Sequence, residues 1–140
     1  MDINSLERFV EAQERTYQVA LSEIYNGKKR THWMWYIFPQ LRGLGRSSMA
    51  HIYGISCLEE AKAYLEHPIL SERLYKICGA LLEHKGANIV EIFGDIDTLK
   101  LRSSMTLFSL TSEDYTIFDE ILDAFFEGQM DEATVKLINQ

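Results

Sequence analysis

The chain has 140 residues, 46% of them hydrophobic and 25% charged, which suits one globular domain that buries a core without disulfides or metal. Its net charge of -7 sits mostly at the C-terminal end, where residues 111–140 hold one Lys/Arg against eight Asp/Glu. That balance argues against nonspecific nucleic-acid binding, and no apolar run approaches the roughly 18 to 20 residues that cross a bilayer.

The start, MDINSLERFVEAQ, is acidic and amphipathic rather than a basic-then-apolar leader, so a cytoplasmic protein is expected. Residues 5–26 predict a first helix, with Leu6, Phe9, Val10, Tyr17, Ala20, Leu21 and Ile24 near a 3.6 period. Asn4 or Ser5 can cap it and Gly27 can stop it. Gln13 falls on the apolar stripe, where an amide must find partners.

KKRTH reads as a basic connector. WMWYIF fits a strand or a buried helical turn, and Pro39 ends either. Ser56 to Glu59 is a capping-box pattern that opens a helix ending at His67. Pro68 suits the first turn of the next helix, which runs to about His84. Asn88 caps IVEIF, Gly94 breaks it, and Asp95 or Asp97 can cap a further helix to Phe108. Ser112-Glu113-Asp114 opens another helix, closed by Gly128, and Asp131 starts the last.

The sum is an all-α fold, one orthogonal bundle of about six or seven helices spanning residues 1–140 as a single domain. Cys57 and Cys78 read as free thiols. No metal site or cofactor is expected.

Four stretches carry candidate chemistry. GLGRSS (Gly43–Ser48) has the glycines of an oxyanion-binding loop, but lacks the third glycine of a dinucleotide fingerprint and the Gly-Lys-Ser/Thr of a P-loop. It reads either as an anion pocket or as a turn in which Ser47 or Ser48 caps a helix. Among His32, His51, His67 and His84 there is no metal-ligand spacing, and His32, beside Trp33 and basic residues, is the acid–base candidate. Trp33, Trp35, Tyr36 and Phe38 cannot all face one way on a helix, so some fill the core and one can face a groove. In LKLRSSMTLF, Lys100 shares a helix face with Ser103 and Ser104. The lysine precedes the serines, the reverse of a Ser-x-x-Lys nucleophile.

HWMWYIFPQLRGLG (His32–Gly45), EAKAYLEHPIL (Glu60–Leu70), FGDIDTLKLRSSMTLF (Phe93–Phe108) and the final FFEGQMDEATVKLI resemble, in order and over nearly the whole chain, the family catalogued as domain of unknown function 1810. The resemblance implies a mainly helical fold and carries no established reaction. The label calpastatin, attached to some members, denotes a disordered repeat inhibitor and does not suit this core-forming composition.

The signature strings contain polar residues that a core does not require. They are therefore expected to meet at one aromatic and polar pocket, built from residues 32–48 and 95–106. Its candidate ligand-binding residues are Gln13, His32, Trp35, Gln40, Arg46, Ser47, Lys100 and Ser104. The expected occupant is a small polar or nucleotide-like anionic ligand, bound or also processed. The alternative is a non-enzymatic interaction module that uses an aromatic groove or the acidic C-terminal surface.

Overall fold

A computed structural model describes residues 2–140. It contains α1 (Glu7–Tyr25), α2 (Met34–Ile37), α3 (Ser48–Ile52), α4 (Leu58–Glu66), α5 (Pro68–Leu82), α6 (Ile89–Thr111), α7 (Ile117–Phe126) and α8 (Glu132–Ile138). Among the described residues the only β pairing is a single parallel bridge, Leu41 to Ile55. None of their helices is long and apolar enough to cross a membrane.

The punctuation explains most of the boundaries. Gly27 takes φ +75° after α1, a left-handed turn that glycine adopts without a Cβ penalty. Pro68 opens α5, and His67 Nδ1 accepts from the amides of Ile69 and Leu70. WMWYIF resolves as the one-turn helix α2 between Trp33 and Phe38. The capping box expected over Ser56 to Glu59 does not form: Cys57 is the cap position without a side-chain cap bond, and Glu60, not Glu59, accepts from the Ser56 amide at 2.9 Å. The start of α7 is also later than Ser112 suggests. Thr116 and Asp119 form a reciprocal capping box there, closing both orphan ends of the first turn.

α6 is broken at Gly94, whose φ of 80° and ψ of 171° interrupt the helix. The hydroxyl of Thr98 donates to the Gly94 carbonyl at 2.6 Å, tying the second segment to the break. From Leu101 to Ser109 this segment is buried almost throughout, packed by α4, α7 and α8. α1 lies against α5 and α2.

The core is aromatic. Phe9, Tyr64, Phe108 and Phe118 stack in sequence, and Trp33 meets Phe38 and Phe93 in a second cluster. Arg8 is the most deeply buried charged group among the described residues. Arg8 donates to Ile52 O, Gly54 O and Ser5 O, and pairs with Glu60 at 3.1 Å. The same Glu60 holds Ser56, so one ion pair fastens α1 to the turn that begins α4.

Candidate functional site

The two tryptophans part company. Trp33 is 1% exposed and belongs to the core. Trp35, two residues on along the single turn of α2, is half-buried and lines a pocket. That pocket, about 470 Å³, opens where α6 breaks. Its walls are Lys29, His32 and Trp35 from the connector and α2, and Gly94, Asp95, Asp97 and Lys100 from α6.

The connector wall is fixed by a buried carboxylate. Glu23, near the end of α1, accepts from the amides of Arg30 and Thr31 at 2.8 and 3.1 Å. It also accepts from the Thr31 hydroxyl at 2.7 Å and from the Trp33 ring N–H at 2.9 Å. Burial alone would raise the Glu23 carboxyl, but these bonds to the charged form outweigh it and hold the group down to about 2. A further backbone bond, Lys29 N–H to Ile92 O at 2.8 Å, ties the connector to the turn of α6 before the break.

Charge on the opposite wall is partly neutralised. Asp97 sits 2.9 Å from Lys29 Nζ and 3.7 Å from Lys100 Nζ. Each lysine also lies over a tryptophan: Lys29 is 5.0 Å from the Trp33 ring centre, and Lys100 is 5.2 Å from that of Trp35. These are favourable cation–π distances. Trp35 therefore presents its ring beneath an ammonium that a ligand could displace or share. His32 and Asp95 are exposed at the mouth.

Met34, Trp35 and Lys100 also line a cavity of about 10 Å³, closed by Phe38, Gln40 and Tyr53. Gln40 thus stands behind the Trp35–Lys100 pair. The carbonyl of Gln40 accepts from Ile55 N–H at 2.9 Å, so its backbone is fixed by the parallel bridge.

Other sequence candidates lie elsewhere. Gln13 is in the core, not on the pocket wall: its amide donates to Tyr36 O at 2.7 Å and Tyr64 Oη at 3.1 Å, and accepts from Arg73 at 3.4 Å. These bonds satisfy the group that the apolar stripe left in question. Ser104, one turn beyond Lys100, is fully buried, and its hydroxyl has no hydrogen-bond partner among the described residues. Arg46 and Ser47 line a separate open groove, because the bridge at Leu41–Ile55 turns the chain away after Gln40. Ser47 caps α3, accepting from Ala50 N–H at 3.1 Å. The two segments expected to share one pocket thus do so through residues 32–40 and 93–100, while 42–48 form a second surface.

Asp95 and Asp97 were missed as pocket residues, and Lys29 was visible only within a basic string that could attract an anion. Their signal is the charge of KKRTH and of GDID, but nothing local in the sequence relates one string to the other. Among the described residues no group of His, Cys, Asp and Glu is arranged to hold a metal ion.

Comparison with known proteins adds the family. No curated protein matches the chain. The crystal structure of the conserved hypothetical protein Rv1873 from Mycobacterium tuberculosis is 47% identical, covers 99% of both chains and has a TM-score of 0.95. A family profile described as protein of unknown function (DUF1810) matches residues 3–138. The chain belongs to that DUF1810 family of uncharacterised helical proteins.

Proposed function

We propose that the protein binds a small polar ligand with a planar ring in the pocket between α2 and the break in α6. The observation that carries the reading is the half-buried Trp35 ring under Lys100 in a pocket of about 470 Å³, within the usual range for small-ligand sites. The ring offers a stacking face. Lys100, Lys29 and His32 can meet an anionic group such as a phosphate, and Asp95 can accept from a hydroxyl or an exocyclic amine. A nucleotide-like ligand answers all of these groups. Binding alone accounts for the arrangement: both lining lysines are ion-paired with Asp97, and no Ser, Thr, Cys or Tyr lines the pocket among the described residues.

The test is a thermal-shift screen against nucleotides and sugar phosphates. At a hundred times the dissociation constant, a ligand adds about 2.7 kcal/mol of stability. Trp35→Ala should fold and lose the shift that a nucleotide gives beyond its sugar phosphate. No such excess, or an excess that survives Trp35→Ala, sinks the reading.

A second reading has one specific observation behind it. Ile96, on the pocket wall, and Leu99, outside it, are 72% and 64% exposed. Large exposed aliphatics suit a protein contact. Leu99→Asp, outside the pocket lining, would abolish such a contact while leaving small-ligand stabilisation in place.

A further inference from the structure

The GLGRSS turn is not absorbed by the pocket. It borders an open groove of about 800 Å³ that shares no lining residue with the pocket or with the small cavity behind Trp35. We propose that this groove, formed by Arg42, Arg46, His51, Ser47, Ser48 and Ser56, is a binding site for a single phosphate-class oxyanion.

Charge is the first argument. The chain is acidic by seven charges, yet no Asp or Glu lines this groove. Arg42 is held in place without being neutralised. Its Nε donates to His51 O at 2.9 Å, Nη2 to Ile3 O at 2.7 Å and Nη1 to Asn4 Oδ1 at 3.4 Å. All three acceptors are uncharged. A guanidinium has five N–H donors, so two are left, one on each terminal nitrogen. Arg46 is exposed and makes no side-chain hydrogen bond or ion pair among the described residues.

Rigidity is the second. A Cβ at Gly45 would stand 2.5 Å from that of Ala50, and one at Gly54 would stand 2.7 Å from Arg42 Cα. The turn is therefore pressed against α3 and against the chain before Ile55 as closely as backbone allows. Arg42 N–H to Ile55 O at 2.7 Å closes the same unit. Donors held this way need little reordering when an anion arrives. Ser47 Oγ already accepts from Ala50 N–H, which leaves its hydrogen free to donate outward.

The ligand class follows from both. A fixed fork beside an exposed, unpaired one suits the several oxygens of a phosphate better than a lone carboxylate. A long polyanion is disfavoured, because the surface beyond the groove belongs to an acidic protein.

The test uses the intact protein at fixed ionic strength, titrated separately with inorganic phosphate and with ribose 5-phosphate, and followed by backbone amide shifts. Saturable shifts at residues 42–56 are expected, with an affinity independent of any shifts at the Trp35 pocket. Arg46→Gln, whose side chain supports nothing else, should weaken both titrations roughly tenfold or more, the worth of a charge-assisted hydrogen bond. Trp35→Ala should leave them unchanged, so this site and the pocket can fail independently. Tighter binding of the sugar phosphate assigns the groove to small phosphomonoesters, and equal binding assigns it to free phosphate. Non-saturating shifts, shifts spread over lysines and arginines outside both sites, or indifference to Arg46→Gln would overturn the proposal.

Discussion

Replacing Glu23 by glutamine removes a charge without removing volume. In the folded protein this carboxyl titrates at about 2 instead of the ordinary 4.5. At about 1.4 kcal/mol per pH unit, the ionised group contributes about 3 kcal/mol of folding free energy near neutral pH. Its folded value lies below its unfolded value. The stabilisation is therefore complete above the unfolded value and is lost as pH falls from about 5 towards 2. Three donors converge on one oxygen: the amides of Arg30 and Thr31 and the ring N–H of Trp33. An amide oxygen can still receive them, but without the strength that charge adds. Glu23→Gln should lose about 2 to 3 kcal/mol near pH 7 and less than about 1 kcal/mol near pH 2.5. Urea denaturation followed by circular dichroism at the two pH values measures both. A variant as stable as the parent near pH 7, or a deficit of equal size at both pH values, would refute the reasoning.

Three further substitutions probe other parts of the frame. Arg8→Ala leaves Glu60 buried and unpaired, and should cost about 3 to 5 kcal/mol by chemical denaturation. Gly94→Ala meets no atom within 4 Å, so its penalty is backbone strain alone. At φ 80° and ψ 171°, a region nearly confined to glycine, that penalty should be about 1 to 3 kcal/mol in the same assay, together with weaker ligand-induced stabilisation. Ser104→Ala removes a buried hydroxyl that has no partner, and should leave the melting temperature unchanged or raise it by the equivalent of about 1 kcal/mol. A large loss in that variant would show that the hydroxyl is satisfied in solution.

Elements with strong local punctuation were legible in the sequence. α1 stops just before Gly27, α5 begins at Pro68, and Asn88, Ser47 and Asp131 cap as their side chains allow. Boundaries failed where two local signals competed. Ser112-Glu113-Asp114 and Thr116-Asp119 both resemble helix starts, and only the second closes its hydrogen bonds reciprocally. At the pocket, Trp35, His32 and Lys100 stood out because aromatic and basic residues lay in otherwise apolar strings. Gln13 was equally visible, but an amide on a helix stripe looks the same whether a ligand or Tyr36 O completes it. Glu23 was invisible for the opposite reason. A single glutamate on an amphipathic helix reads as solvated, and only the return of the connector over α1 buries it. Arg46 and Ser47 were assigned to the wrong neighbourhood because one parallel bridge, unmarked in composition, redirects the chain after Gln40.

The division between Trp33 and Trp35 has an optical consequence. The chain has two indoles. One is sealed in the core, and the other forms part of a pocket wall. A dissolved quencher such as acrylamide should reach the emission of Trp35 and leave that of Trp33 almost untouched. Occupation of the pocket would then shield the accessible fraction and nothing else. The protein thus carries a gauge of its own occupancy beside a built-in reference, with no label to attach.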